Sequence, residues 1–265
     1  MRRFLSSVCM MLCAFTACTD ESNPVTNESA LSSSSVSQTP GTEPGISSSE
    51  AQEVSSSSSV EPGSATSVEP CRTDEADNCK YESVTDDRDG KVYKTVKIGN
   101  LWWTAENISY KTEKSYCYGD EDSNCAKYGR LYKWDDAVKA CPDGWRLPTK
   151  NDFEDLFVAV GGRLSAGQVL KSTSGWKSDG NGRDAYGFSA LPAGYMDEDV
   201  SGLYTSESSH AFFWSSTVSE HSDGSAFNMY LNYSTERKYP DGSYDEAHLD
   251  TNYKRRGLSV RCVKD

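Results

Sequence analysis

Residues 141–162 read CPDGWRLPTKNDFEDLFVAVGG and carry the clearest structural signal in the chain. Thr149 is a favoured N-cap residue and Asp152 stands three positions later, a pattern typical of the first turn of a helix. Gly161-Gly162 would end that helix. Between these limits, apolar residues recur at helical spacing and would form one buried stripe: Phe153, Leu156, Phe157 and Val160. The stretch therefore predicts a helix that packs on a core through a single face.

A second helix is predicted immediately upstream, ending at Pro142-Asp-Gly144. Its buried face would consist of Leu131, Trp134, Val138 and Cys141. After Gly162 the chain turns to short apolar stretches separated by longer polar loops. These stretches predict strands at residues 186–191, 211–217, 226–232 and 258–263.

Further upstream, residues 91–98 alternate as a half-buried strand, with Val92, Val96 and Ile98 on one face. Gly99-Asn100 is a two-residue hairpin signal that leads into a returning strand, Leu101–Thr104. With two helices and short antiparallel strands, the folded part is predicted to belong to the α+β class.

The composition of the 265 residues excludes two classes of function. The formal net charge is -13, whereas binding to nucleic acid needs clustered Lys and Arg, so we expect no nucleic-acid partner. No uncharged apolar run approaches the roughly 20 residues that span a bilayer, which argues against a membrane-embedded transporter.

Residues 1–17 predict a lipoprotein signal peptide. Arg2 and Arg3 precede an apolar stretch that ends in Phe15-Thr16-Ala17-Cys18, and cleavage before Cys18 would make it the lipid-attachment residue. The alternative is an ordinary secretory signal in which Cys18 is incidental. Acylated Cys18 would hold the protein on outer-membrane lipid, so we expect an outer-membrane or cell-surface location.

Residues 18–70 predict a disordered linker. From Thr19 to Pro70 there is no Lys, Arg or aromatic residue, and serine runs dominate the composition. Such a stretch cannot bury enough apolar surface to offset the entropy of ordering. We therefore place the folded domain at residues 71–265, where 25 Lys or Arg face 32 Asp or Glu.

Six cysteines remain after the signal peptide and Cys18 are set aside: Cys71, Cys79, Cys117, Cys125, Cys141 and Cys262. An even number in an exported protein predicts three disulfides, and six cysteines allow fifteen pairings. Cys71 with Cys79 and Cys117 with Cys125 share the same eight-residue step, and this favoured pairing leaves Cys141 with Cys262. Zinc is disfavoured because no Cys-x-x-Cys pair is present.

Several ordered motifs resemble a known family, the Fibrobacter-type major paralogous domain. The motifs that carry the resemblance are Asp86–Gly90, Val96–Gly99, Trp103–Asn107, Tyr128–Tyr132, Cys141–Thr149, Gly187–Gly194, Phe213–Thr217 and Gly257–Cys262. The resemblance covers roughly residues 81–265 and implies a C-type-lectin-like fold related to formylglycine-generating enzymes. It also implies a disulfide between a cysteine after the first helix and one in the last strand, in agreement with Cys141–Cys262.

No catalytic residue is predicted. Enzymes of the formylglycine-generating type use a pair of cysteines near the C-terminal end, whereas here only Cys262 lies there. His210, His221 and His248 lie in polar stretches without metal-binding spacing, and we interpret them as surface residues. Carboxylates at positions 197–199 would form a glycosidase pair only if one of them were shielded in a cleft.

No metal ligand and no cofactor are predicted. The Trp-Asn-Asp signature of calcium-dependent lectins is replaced by Trp214-Ser215-Ser216. A structural Ca²⁺ is the alternative, since carboxylates cluster at Asp120–Asp122, Asp197–Asp199 and Asp241–Glu246.

The ligand-binding residues that we predict are Tyr195, Tyr204, Tyr239 and Tyr244, in loops before Trp214 and between the last two strands. Tyrosine offers an apolar ring with a polar tip, which suits contact with sugars or protein surfaces. The tryptophans inside the motifs, Trp102, Trp134, Trp145 and Trp214, are predicted to be core residues.

These observations favour a surface-displayed, non-enzymatic binding or adhesion module for polysaccharide or another cell-surface component. The alternatives are an enzyme related to the formylglycine-generating superfamily and a structural envelope lipoprotein. Three intact disulfides would favour the module, and a reactive thiol would favour the enzyme.

Overall fold

The computed structural model describes residues 67–200, 203–233 and 247–265. The predicted signal peptide, Cys18, nearly all of the predicted linker, Tyr239 and Tyr244 lie outside these residues. The strands are β1 (Tyr81–Asp86), β2 (Lys91–Ile98), β3 (Leu101–Thr104), β4 (Ser115–Tyr116), β5 (Leu131–Tyr132), β6 (Ala193–Asp197), β7 (Leu203–Glu207), β8 (His210–Ser219), β9 (Ser222–Asn232), β10 (Ala247–Tyr253) and β11 (Val263–Lys264). The helices are α1 (Asp122–Tyr128), α2 (Trp134–Ala137), α3 (Lys150–Ala159) and α4 (Arg163–Leu170). The α+β class is confirmed, with strands in the majority.

The strands form three sheets. One sheet has the order β1-β2-β3-β11, and a larger one has the order β10-β9-β8-β6-β7. β4 and β5 make a separate two-stranded ribbon. Because β11 pairs with β3, the C-terminal end of the chain closes the sheet that its first described strands begin.

The hairpin of β2 and β3 is confirmed, but its buried face differs from the prediction. Val96 and Ile98 are buried as expected, whereas Val92 is 55% exposed and Tyr93 is buried instead. Thr95 and Val96 are adjacent and both buried, so both faces of the sheet are covered at this point. Simple alternation therefore fails along this strand.

Helix α3 is confirmed with its predicted cap. The Thr149 hydroxyl accepts a hydrogen bond from the backbone N–H of Asp152, and the Asp152 carboxylate accepts one from the backbone N–H of Thr149. The predicted stripe is buried at all four positions: Phe153, Leu156, Phe157 and Val160.

The helix predicted over residues 131–141 is wrong over most of its length. Leu131 and Tyr132 form strand β5, and α2 is a single turn. Tyr132 exchanges two backbone hydrogen bonds with Leu258, and this pairing with a distant segment holds residues 131–132 extended. Val138, placed on the buried face by the prediction, is 38% exposed.

Two of the four predicted downstream strands are confirmed within β8 and β9. Residues 186–191 and 258–263 instead make isolated bridges, except that Val263 begins β11. Strands β1, β4, β6, β7 and β10 and helices α1 and α4 were not predicted.

The core lies on both faces of the larger sheet. α3 and α4 cover one face, where Phe213, Met229 and Leu231 are fully buried. Leu258 and Val260 of the C-terminal segment cover part of the other face, where they form one buried cluster with Trp214 of β8. Trp214 is thus a core residue as predicted, but Trp102, Trp134 and Trp145 are only half-buried.

Three disulfides join the cysteines in the pairing favoured from the sequence. They are Cys71–Cys79, Cys117–Cys125 and Cys141–Cys262. Within the described ranges, no helix is both long enough and apolar enough to cross a membrane.

Candidate functional site

A buried arginine is the point at which distant segments of the domain meet. Arg261 is fully buried, and its guanidinium donates to the Asn107 side chain at 2.6 Å and to the carbonyl oxygens of Thr104, Phe188 and Ser189 at 2.8, 2.6 and 2.9 Å. Burial lowers the pKa of Arg261 to about 9, which leaves it protonated at neutral pH. The segments around residues 104–107, 188–189 and 259–262 are therefore fixed to one another.

Adjacent tryptophans in β3 face opposite sides of the first sheet. Trp103 lies opposite Val96 and Val263, all buried, and so points into the core. Trp102 lies between Lys97 of β2 and Lys264 of β11 on the outer side. Within the described part of the chain, Trp102 packs against none of the three buried clusters.

Trp102 lines a groove of about 460 Å³, which we call the Trp102 groove. Tyr186 and Val68 give it apolar walls, and Lys80, Glu82 and Lys97 supply charged groups. The Tyr186 hydroxyl donates to the Val68 carbonyl at 3.3 Å and joins the two walls. The volume lies within the range of about 300–1,000 Å³ typical of ligand sites, and an apolar floor with a few polar groups is their usual composition.

A second set of aromatic side chains crosses the larger sheet. This aromatic row consists of Tyr195 (β6), Phe212 (β8), Tyr230 (β9) and His248 (β10), all half-buried. Phe212 and Tyr230 are in register and stacked at 5.5 Å and 18°, and Tyr230 and His248 at 4.7 Å and 12°. Because these rings cover one another's faces, mainly their edges reach solvent. The row therefore stabilises the sheet more than it offers flat surfaces.

Comparison with protein families identifies the domain. A family model described as the Fibrobacter succinogenes major domain matches residues 96–264. The chain belongs to the Fibrobacter succinogenes major domain family. No curated protein and no solved structure matches it significantly. Both Trp102 and Arg261 lie inside the matched residues.

In this Fibrobacter succinogenes major domain, the two predicted tyrosines that can be located lie apart. Met196 pairs with Tyr204, so Tyr195, next to Met196, faces the other side of the β6–β7 hairpin. Tyr195 packs edge-on against Phe212 at 5.3 Å, with the Arg256 guanidinium 5.1 Å from its ring centroid. The two tyrosines therefore do not form one site.

Tyr204 makes its contacts within the domain. Its hydroxyl donates to Asp120 at 2.5 Å, and its ring lies 5.3 Å from that of Tyr118. Burial raises the pKa of Tyr204, and the hydrogen bond to Asp120 raises it further. Asp120 is thus engaged by a neighbouring side chain.

The carboxylates at positions 197–199 of the Fibrobacter succinogenes major domain are paired with cations. Asp197 pairs with Arg256 at 2.8 Å, Glu198 with Lys133 at 2.5 Å, and Asp199 with Arg255. The hydrogen bond from Arg255 lowers the pKa of Asp199, whereas a glycosidase acid requires a raised pKa.

No group of three or more His, Cys, Asp or Glu side chains is placed to hold a metal ion in residues 67–200, 203–233 and 247–265. The acidic run Asp241–Glu246 lies outside these residues. His210 and His248 stand in strands β8 and β10 rather than in loops. Burial lowers the pKa of His210, and Lys177 contributes to the same shift.

Trp102 is the site residue that sequence reasoning missed. The last three residues of β2 do alternate, since Val96 and Ile98 face the core and Lys97 does not, and this short pattern indicated the orientation of β3. In a hairpin closed by Gly99-Asn100, that alternation places Trp103 inside and Trp102 outside.

Proposed function

We propose that this protein is a surface-displayed lipoprotein that binds polysaccharide without catalysing a reaction, and that the Trp102 groove is its binding site. In this proposal acylated Cys18 anchors the chain to outer-membrane lipid, and the residues between Cys18 and Val68 act as a flexible spacer, since Val68 itself is bound to the domain. The domain is C-type-lectin-like and needs no cofactor.

One observation carries the proposal: a half-buried tryptophan lies in a groove rather than in the core. A ring in this position can stack on the apolar face of a sugar, as aromatic residues do at binding sites. Lys80, Lys97 and Glu82 in the same groove supply donors and an acceptor for sugar hydroxyls.

The disulfides support a module rather than an enzyme. All six cysteines from Cys71 onward are paired, so the described residues contain no free thiol of the kind that a formylglycine-generating reaction requires. The Cys141–Cys262 bond also joins a cysteine after α2 to one immediately before the last strand, which is close to the pairing that the resemblance implies for a C-type-lectin-like domain.

The test is binding of the oxidised full chain to insoluble plant and bacterial polysaccharides. We expect retention on at least one of them, a fall in affinity of about tenfold or more for Trp102→Ala, and partial recovery for Trp102→Phe. Tyr253→Ala is the matched control, because Tyr253 is 47% exposed and lies outside the groove. A chelator should leave retention unchanged.

Unchanged retention of a folded Trp102→Ala variant would mean that the binding site lies elsewhere. Absence of retention on every polysaccharide would overturn the carbohydrate proposal in favour of a protein partner. Thermal unfolding of each variant separates loss of the site from loss of the fold.

A further inference from the structure

A second concave site lies where α1 approaches the β2–β3 hairpin. It encloses about 220 Å³, and we call it the lysine cleft because Lys91, Lys94 and Lys127 line it. Glu106 is the carboxylate among its lining residues, and Asn107 and Gly129 contribute to its wall. This volume is below the range of about 300–1,000 Å³ typical of ligand sites, so the cleft suits one sugar ring rather than a long ligand.

The walls of the cleft are held rigidly. The Asn107 side chain donates to the Tyr128 carbonyl at 2.7 Å, and its oxygen accepts from Arg261. Helix α1, which carries Lys127, is fixed at Cys125 by the disulfide to Cys117. A site on rigid elements needs little reorganisation to bind.

The charge of the cleft is opposite to that of the domain around it. Residues 71–265 have 25 basic and 32 acidic side chains, a net charge of −7, whereas three lysines and one glutamate line the cleft. Lys91 donates to the Ser109 hydroxyl at 2.5 Å, and the Lys94 ammonium lies 4.3 Å from the Tyr81 ring centroid. Of these three lysines, only Lys127 has a carboxylate partner among the described residues, Glu207 at 3.7 Å. Lys91 and Lys94 thus leave positive charge for a ligand.

Glu106 adds a requirement to the ligand. One of its oxygens accepts from the backbone N–H of Lys94 at 2.7 Å, and the other has no hydrogen-bond partner among the described residues. A carboxylate beside three lysines suits a ligand that combines one anionic group with hydroxyl donors. Beside Glu106 itself, a bare phosphate or a uniformly anionic surface meets like charge and offers no hydroxyl donor, so it gains less there than an anion that also carries hydroxyls.

We propose that the lysine cleft binds a uronic acid residue of an acidic polysaccharide. The sugar carboxylate lies among Lys91, Lys94 and Lys127, and a neighbouring hydroxyl donates to Glu106. This inference rests on the proposed role in polysaccharide binding, but it uses residues separate from the Trp102 groove.

The test measures affinity of the full chain for an oligogalacturonate and for a neutral oligosaccharide of equal length, at low and high ionic strength. We expect Lys91→Gln and Lys127→Gln each to weaken oligogalacturonate binding about fivefold at low ionic strength. High ionic strength should weaken binding of the parent chain as well. Lys111→Gln and Lys139→Gln remove the same charge from exposed positions outside the cleft and should have no effect.

Equal losses in the two control variants would overturn the proposal, because binding would then depend on overall charge. Displacement by inorganic phosphate at the same concentration as the oligomer, or binding to anionic vesicles as tight as to the oligomer, would also overturn it. Trp102→Ala should leave oligogalacturonate affinity unchanged. If Trp102→Ala loses binding to neutral polysaccharide and the lysine variants do not, the two sites are separate.

Discussion

Arg261 illustrates how a charged side chain can serve as the centre of a core. Burying a guanidinium is costly unless its donors are satisfied, and here they meet one side-chain oxygen and three carbonyl oxygens. The guanidinium carbon also lies 4.7 Å from the ring centroid of Phe188 and 5.5 Å from that of Phe213. The sequence marked Gly257–Cys262 as a motif, but arginine is usually exposed, so nothing local indicated its burial.

The conformation of Gly129 also depends on residues distant in the sequence. Together with Gly90 it provides a matched pair of glycine-to-alanine variants. Gly129 and Gly90 share a φ of +73°, where side chains are strained. An added Cβ at Gly129 would lie 2.7 Å from the Asn107 Cβ and 2.8 Å from the Ile108 carbonyl oxygen, whereas at Gly90 nothing lies within 4 Å.

We therefore expect Gly90→Ala to cost about 1 kcal/mol of unfolding free energy, from backbone strain alone. Gly129→Ala should cost about 2 kcal/mol more, because the added Cβ meets Asn107, which Arg261 holds, and the Ile108 carbonyl oxygen, and because Gly129 also has a ψ of −162°. Unfolding in guanidinium chloride under non-reducing conditions measures the unfolding free energy of both variants. Equal costs would mean that the wall around Asn107 is not rigid.

Helices and strands that depend on local sequence were predicted correctly, whereas those that depend on pairing with distant segments were not. Helix α3 and the β2–β3 hairpin were predictable because cap, periodicity and turn all lie within one short stretch. Residues 131–132 show helical spacing, but they form a strand because Leu258 pairs with Tyr132. Tertiary pairing outweighs propensity there.

The N-terminal cap of α3 gives a prediction about pH. Burial would raise the pKa of Asp152, but hydrogen bonds from Arg146 and Thr149 outweigh it and lower the pKa. The folded protein therefore takes up this proton at lower pH than the unfolded chain does. The stability that Asp152 contributes is present at neutral pH and is lost as the pH falls below about 4.

Asp152→Asn should cost about 1 kcal/mol at neutral pH and make unfolding free energy less dependent on pH in the acid range. Asp155→Asn is the control on the same helix, because burial and the nearby acids Asp152 and Glu154 raise the pKa of Asp155. The Asp155→Asn substitution should not lower the unfolding free energy at neutral pH. Denaturant unfolding across a pH series checks both variants, and parallel curves for Asp152→Asn and the parent chain would contradict the prediction.

For the whole molecule, the sequence predicted the class and the disulfide pairing more fully than the candidate site. Tyr195 was expected to contact a ligand, and its position beside Phe212 is a cross-sheet contact that only the strand order reveals. Trp102 was assigned to the core, since hydrophobicity alone does not distinguish it from Trp103. Which of two adjacent tryptophans faces solvent depends on the register with Lys97 and Lys264.

The Cys141–Cys262 disulfide acts on the whole domain, because it closes a loop of 121 residues whereas Cys71–Cys79 closes one of eight. In the chain-entropy model the long loop contributes about 5 kcal/mol and the short one about 2.5 kcal/mol. We expect the double variant Cys141→Ala/Cys262→Ala to lose about twice the unfolding free energy lost by Cys71→Ala/Cys79→Ala. Guanidinium unfolding without reductant measures the difference. Since Cys262 is fully buried beside Arg261, truncation there also disturbs packing, which adds to the larger loss. Equal losses would mean that loop length does not determine what these bonds contribute.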